Sequence, residues 1–498
     1  MSAPVVATES KAEAEPLGST RAAADSVSRI FRNFLWLVFG NGTGQILAFV
    51  TNALIARAVG VDWFGKLAFA QVLATYLGLL TDAGLRIEGT KLLAREKGSL
   101  SSHLANILTL RTAALGLALL ALGLFLLLSD IPASTKKLIL LFSISAALTT
   151  YWLDWAFQGL EQMALPGLSK ILQYGTYFFL CLLFVRHAEQ AFRAPIFLAL
   201  GTLLAVVVTL LVFLRKYGRG LTWTPQPNLW RGILQRAMPL GMSIILIQVY
   251  YRINIVMLSF MTDDRTVGLY GAASDPVFLM SGAAGLAATA FLPTVARAYH
   301  EGREKVEAIL NQTTATLVTL GVPLGVGGTL LAKDIISTLY GTQFLGSVLG
   351  FQILIWSTLI IFVSVNYGTP LIACDHHNRY LLGVGVGALT NITLNLVLIP
   401  RLGLLGACVT TVSTELIVLI YMRRQLEKFL TVRLLPKLAR PLASSVVMAL
   451  LLCAGWSRAW LPYRILLGLA VYFAVLIGLG GVDLSIIRAS ASRSGNTH

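Results

Sequence analysis

The chain of 498 residues is 56% hydrophobic and 12% charged, with a mean hydropathy of +0.75, whereas a soluble domain carries roughly 25% charged residues. Its many apolar runs are long enough to cross hydrocarbon and lack the alternation of a barrel strand, so satisfying every backbone group internally leaves the helix as the spanning form. The net charge of +16 does not point to nucleic acid, because no basic soluble segment is present to hold a duplex and membrane proteins gather Lys and Arg on cytoplasmic loops.

Residues 1–30, with Glu9, Lys11, Glu13, Glu15 and Pro16, predict a disordered cytoplasmic tail without the apolar core of a cleaved signal peptide. Hydropathy then predicts helices near 34–56, 64–84, 106–128, 138–158, 166–185, 194–214 and 234–260. Seven more follow near 267–293, 308–331, 346–372, 379–399, 402–422, 438–457 and 462–480. Turn signals such as Ser129-Asp130-Ile131-Pro132 and Asp263-Asp264 separate them. Misreading the last pair would reduce the count from about fourteen to twelve; either number puts both termini on one side. Lys and Arg crowd the loops Arg86–Lys97, Arg215–Arg236 and Arg423–Arg440, which predicts these loops and both termini on the cytoplasmic face. Cys181, Cys374, Cys408 and Cys453 form no close-spaced pairs, so packing is expected of them rather than disulfides or a metal site. No cofactor is implied, and no Walker sequence is present.

A weak repeat crosses the chain. Phe64-Gly65-Lys66-Leu67-Ala68-Phe69-Ala70 opens the second helix after a loop holding Asp62. Val267-Gly268-Leu269-Tyr270-Gly271-Ala272-Ala273 opens the eighth after Asp263 and Asp264. Matching positions predict two six-helix lobes in parallel repeat around a cavity, although Gly and Ala at helix interfaces also explain the pattern. The expected division is a tail (1–30), an N-terminal lobe (31–220), a C-terminal lobe (221–430), a helix pair (431–485) and a second cytoplasmic tail (486–498).

Four segments carry a resemblance. The first runs from Asn41 to Arg95, with Gln45, Ala56-Arg57-Ala58-Val59-Gly60, Phe64-Gly65, Asp82-Ala83-Gly84-Leu85 and Ala94-Arg95. The second runs from Pro239 to Pro293, with Tyr251-Arg252-Ile253-Asn254, Met257-Leu258 and Val267-Gly268-Leu269-Tyr270. The third is Leu339-Tyr340-Gly341 with Phe344; the fourth is Asn395 through Gly403 with Gly406-Ala407. In these segments the chain resembles the Wzx-like oligosaccharide flippases of the MOP superfamily, which also holds MATE antiporters and lipid II flippases. Asn254 departs from the pattern, standing where an Asp is expected in many relatives. The resemblance implies an all-α polytopic, MOP/MATE-like V-shaped bundle in the bacterial inner membrane. It also implies a polyprenyl-diphosphate-linked oligosaccharide as cargo, without ATPase activity. Membrane lipids, a polysaccharide polymerase and glycosyltransferases are the implied partners.

Ionisable side chains inside spans are costly, which makes each a functional candidate. Arg252, deep in the seventh helix beside Tyr251 and Asn254, can grip a diphosphate or sugar carboxylate bidentately; a structural pair with an acid is the competing explanation. Arg57, Arg111 and Lys170 are further candidates for an anionic headgroup, and snorkelling to an interface explains them as well. Trp152 beside Asp154 suits a sugar ring, as an interfacial aromatic belt would equally explain. Asp82, Asp154, Asp275 and Glu415 are the candidates for proton coupling. Sodium would need an acid with neutral oxygens, such as Glu415 with Asn391, Asn395 and Thr411, if their helices face one cavity. Prolines 166, 239, 276, 293, 323 and 370 lie in or at the ends of spans, where kinks serve rocking motions but are also ordinary. A MATE-like small-molecule antiporter and a lipid II flippase remain alternative functions. A membrane glycosyltransferase, polymerase or ligase is disfavoured by outer loops of about ten residues, too short to carry a catalytic domain.

Overall fold

The computed structural model describes residues 17–95, 99–432, 434–454 and 460–481, and the regular elements among these are all helical. In the first half they are α1 (Leu17–Val59), α2 (Val61–Asp82), α3 (Leu85–Arg95), α4 (Leu100–Leu128), α5 (Ala133–Thr149), α6 (Asp154–Gly159), α7 (Ala164–Phe184) and α8 (Arg193–Tyr217). In the second half they are α9 (Pro227–Met261), α10 (Asp264–Glu301), α11 (Arg303–Tyr340), α12 (Val348–Ala373), α13 (His377–Leu402) and α14 (Leu404–Leu426). The pair α15 (Leu435–Cys453) and α16 (Leu461–Gly478) follows.

Among the described residues twelve spans are long and apolar enough to cross a membrane, as the polytopic helical reading requires. α1 and α10, where the first and eighth spans were expected, run 43 and 38 residues but are not among those twelve. Helices cover all fourteen expected stretches, and among the described residues twelve spans meet that criterion. Leucines such as Leu117, Leu120, Leu127 and Leu128 of α4 stand more than two-thirds exposed, which is stable only with lipid against them.

Three local departures from the sequence reading have physical causes. Residues 86–97, expected as a loop, begin with α3, because Ala83 and Gly84 take left-handed φ values of 41° and 84° and turn the chain into a new helix. The fourth predicted helix breaks: α5 stops at Thr149 and α6 starts at Asp154. There the Thr149 carbonyl accepts from the Trp152 backbone amide at 3.2 Å and from the Arg111 guanidinium at 2.9 Å. α1 starts at Leu17, inside the stretch expected as a disordered tail. Residues 1–16 and the expected C-terminal tail 486–498 lie outside the described residues.

In the first half α7 packs on α1 and α8, and α5 on α2 and α8. In the second, α12 lies against α10, α11 and α14, while α13 lies against α9 and α14. α15 and α16 pack on each other and on α11, through Leu331, Met448, Leu452, Tyr472 and Leu476. Arg464 of α16 fixes this pair by an ion pair to Asp334 of α11. The halves meet along α2–α10, α2–α9, α3–α9 and α1–α10.

The repeated segments meet each other at one end of α2. A Cβ on Gly65 would stand 1.9 Å from the Asp264 carbonyl oxygen, and one on Gly268 would stand 2.1 Å from that of Val61. Only glycine lets these backbones approach so closely. At the other end of α2 a second pair closes: a Cβ on Gly84 would fall 2.3 Å from the Ala237 carbonyl oxygen, and one on Gly241 would fall 2.2 Å from the Ala83 carbonyl carbon. These two contacts define a Gly65 end and a Gly84 end.

Candidate functional site

Between the halves lies a cavity bordered by residues of α1, α2, α5, α7, α8, α9 and α10. Its polar lining is Asn52, Gln71, Tyr177, Arg252 and Asp275, set among Phe64, Leu67, Phe142 and Ile255. Arg252 comes from the middle of α9 and is half-buried. Its guanidinium lies 4.4 Å from the centre of the Phe278 ring, a cation–π contact that holds the group without neutralising it. Among the described residues no carboxylate comes within 4.0 Å of Arg252. The Asp275 carboxylate and the Asn52 amide line the same cavity. The cavity therefore combines one exchangeable cation, amide and carboxylate acceptors, and aromatic faces. Such a mixture suits an anionic head with hydroxylated substituents.

The structure gathers five other expected residues, Asp82, Arg111, Trp152, Asp154 and Lys170, into a separate cluster towards the Gly84 end. Arg86 pairs with Asp154 at 2.8 Å, and Arg111 faces Asp82 at 3.8 Å. Asp82 also accepts from the Arg86 backbone amide at 3.2 Å. Lys170 lies 4.2 Å from the centre of the Trp152 ring. Arg111 is only 2% exposed, so it is buried rather than snorkelling. Trp152 is 3% exposed and capped by Lys170, and Trp155 is fully buried against Gly89. In this conformation neither tryptophan offers a face to a sugar or to an interface.

Arg57 does not reach the cavity. It lies at the end of α1 and donates to the Thr338 carbonyl of α11 at 3.1 Å. Gln343 donates in turn to the Arg57 carbonyl at 3.1 Å, so the two stitch the halves at the Gly65 end. Tyr251 packs between Tyr250, tilted at 57°, and Phe278, edge-on at 80°, with centroids at 5.0 and 5.5 Å.

Asn254 anchors a neutral network. Its amide donates to the hydroxyls of Tyr270 and Thr411 at 2.7 Å each, while the Asn395 amide donates to the oxygens of Asn254 and Asn391 at 2.6 and 2.8 Å. Asn391, Asn395 and Thr411 thus do converge, but Glu415 is not in their layer: its carboxylate accepts from Tyr250, one turn away. Asp375 and His377 lie 3.8 Å apart, and among the described residues no three His, Cys, Asp or Glu gather as metal ligands.

Sequence reasoning missed Asn52 and Gln71, whose polar character is ordinary until α1 and α2 turn them inward. It also missed the ion pair of Glu88 with Arg236 at 2.5 Å, which ties α3 to α9 beside the Gly84 contact.

Comparison with known proteins gives a family and a fold. A family described as polysaccharide biosynthesis protein matches residues 30–299. A protein of Shigella dysenteriae named "Putative O-antigen transporter" is 24% identical over 247 residues, covering 49% of this chain and 61% of its own length. A lipid II flippase MurJ structure in an inward closed conformation superposes with a TM-score of 0.70 at 16% identity, over 90% of this chain and 99% of its own. An inward-facing multidrug resistance MATE family transporter of the MOP superfamily gives 0.63 at 15% identity, over 77% and 95%. At these identities the structural likeness establishes the fold: this is a multi-pass membrane protein with the MOP architecture.

Proposed function

The chain belongs to the polysaccharide biosynthesis protein family, and from that premise we propose that it is a flippase carrying a polyprenyl-diphosphate-linked oligosaccharide across the inner membrane. The observation that carries this reading is Arg252: a half-buried cation in a cavity between the halves, with no acid within ion-pair distance among the described residues. Leaving a guanidinium unpaired at that depth is costly unless an anion visits it. The diphosphate engages Arg252, sugar hydroxyls meet Asn52, Gln71 and Asp275, and the polyprenyl tail stays in lipid.

In this reading residues 31–220 and 221–430 form two lobes, 431–485 adds a helix pair, and both termini are cytoplasmic. The Gly65 end then faces outward and the Gly84 end inward, and rocking of the lobes alternates the two closures. Glycosyltransferases would supply the cargo and a polymerase would consume it. A small organic cation is a poorer cargo because Arg252 repels it. Lipid II shares the diphosphate chemistry and is separated from the proposed cargo by the assay that follows.

The test is complementation in a strain lacking its polysaccharide flippase. Arg252→Ala at wild-type membrane abundance is expected to abolish surface polymer. Arg252→Lys tests whether charge alone suffices, since lysine lacks the two-pronged fork. Normal polymer from Arg252→Ala overturns the assignment. Rescue of a lipid II flippase deletion, without rescue of the polymer defect, reassigns the cargo.

A further inference from the structure

α9 is fastened to both halves. Its first turns are held to α3 by the Glu88–Arg236 pair and the close approach of Gly241 to Ala83 and Gly84. Pro239 lies inside the helix between these two contacts, where it removes one backbone hydrogen bond. Beyond it, α9 is held to α13 and α14 by two layers of polar side chains. One is the neutral network around Asn254, Tyr270, Asn391, Asn395 and Thr411. The other, one turn along α9 and α14, is Tyr250 donating to Glu415 Oε1.

Glu415 is 5% exposed. The titratable groups that face it are Tyr250 and Tyr251 from α9 and Tyr380 from α13. α12 carries no charged residue, and α10 contributes Tyr270 to the neighbouring layer. Among the described residues no Lys, Arg or His lies within ion-pair distance of this carboxyl. An ionised carboxylate with no cation in so dry a site is strongly disfavoured, whereas a neutral acid can accept from Tyr250 on Oε1 and keep its proton on Oε2.

We propose that Glu415 is a proton-binding site, loaded in this conformation and discharged when α9 leaves the α13–α14 seam. Discharge breaks the Oε2–H bond; the proton passes to water that enters the opened seam, and the electron pair stays on the carboxylate. Reloading reverses these steps. Arg252 lies on α9 midway between Tyr250 and Asn254, which are one turn apart and both tied to the seam. Displacing α9 therefore moves the cavity cation with it. The use of this link for transport rests on the flippase reading; the proton site does not.

Infrared spectroscopy of the purified full chain tests the site without any cargo. At neutral pH the wild type is expected to show the C=O stretch of a protonated carboxyl. The band should vanish in Glu415→Gln, persist in Asp275→Asn, and move to higher frequency in Tyr250→Phe, which deletes the donor to Oε1. No band in the wild type, a band that survives Glu415→Gln, or a band unmoved by Tyr250→Phe overturns the proposal. A protein that shows all three expected behaviours yet moves no lipid-linked sugar keeps its proton site and loses the flippase reading.

Discussion

Replacing Gly65 with alanine puts a methyl carbon 1.9 Å from the Asp264 carbonyl oxygen. A carbon–oxygen contact relaxes at about 3.3 Å, so α2 and α10 must part there by about 1.4 Å. The obstacle is backbone, with no flexible side chain to swing aside. Overpacking of this kind costs about 1–3 kcal/mol, and the cost falls only on conformations in which the Gly65 end is closed. Alanine also raises helix propensity by about 1 kcal/mol, but α2 is helical whether that end is open or shut, so this gain cancels from the ratio. The closed-to-open ratio should therefore fall about 5- to 150-fold. A cysteine at Ala68, which lines the cavity one turn along α2, reports the change in a chain freed of its native cysteines. A membrane-impermeant thiol reagent added to intact cells should label it faster in Gly65→Ala and in Gly268→Ala. Gly42→Ala is the control, because a Cβ there meets nothing within 4 Å. Equal labelling of parent and Gly65→Ala, at equal abundance, would refute the closure argument.

Two further outcomes follow from the ion pairs and caps. Arg86→Met strands Asp154, whose side chain is 5% exposed, and should cost about 3 kcal/mol, the low end for breaking a buried pair because Arg86 keeps partial access to water; an unchanged melting temperature in detergent contradicts this. Asp263 caps α10 by accepting from the Thr266 amide at 2.8 Å, and bonds from Thr266 hold its carboxyl below the ordinary range. Its capping contribution of about 1 kcal/mol should be complete above about pH 4 and fade as pH falls through its lowered value. The stability gap between the wild type and Asp263→Ala should accordingly narrow in acid, and a constant gap would show that the carboxylate is not the cap.

What the sequence made legible was periodic or repeated. Apolar runs gave the helices, and the paired Phe64-Gly65 and Val267-Gly268 segments marked two elements that press against each other. Arg252 stood out because a guanidinium in mid-span has few structural uses. The charge cluster was harder to read. Nothing in Thr149-Thr150-Tyr151 announces a break ahead of Asp154, and the turn there is joined by Arg111, 38 residues away, whose guanidinium donates to the Thr149 carbonyl. From sequence alone, Asp82 and Asp154 are coupling candidates; in the fold each has a cationic neighbour on another element. Asn52 and Gln71 became cavity residues only through the assembly of seven helices around them. Asn254 lost the charge expected in many relatives, and the structure shows what surrounds the amide instead: a layer in which every other member is also neutral.

Transport of a lipid-linked sugar by the Arg252 cavity is tested most directly with the full chain in proteoliposomes. A polyprenyl-diphosphate-linked oligosaccharide is placed in both leaflets, and the fraction of headgroups reached by an added, impermeant glycosidase is followed over time. The wild type is expected to bring the inner-leaflet headgroups into reach, while Arg252→Ala leaves them protected as in protein-free vesicles. Equal exposure by wild type and Arg252→Ala, or none above protein-free vesicles with the wild type, would contradict the account.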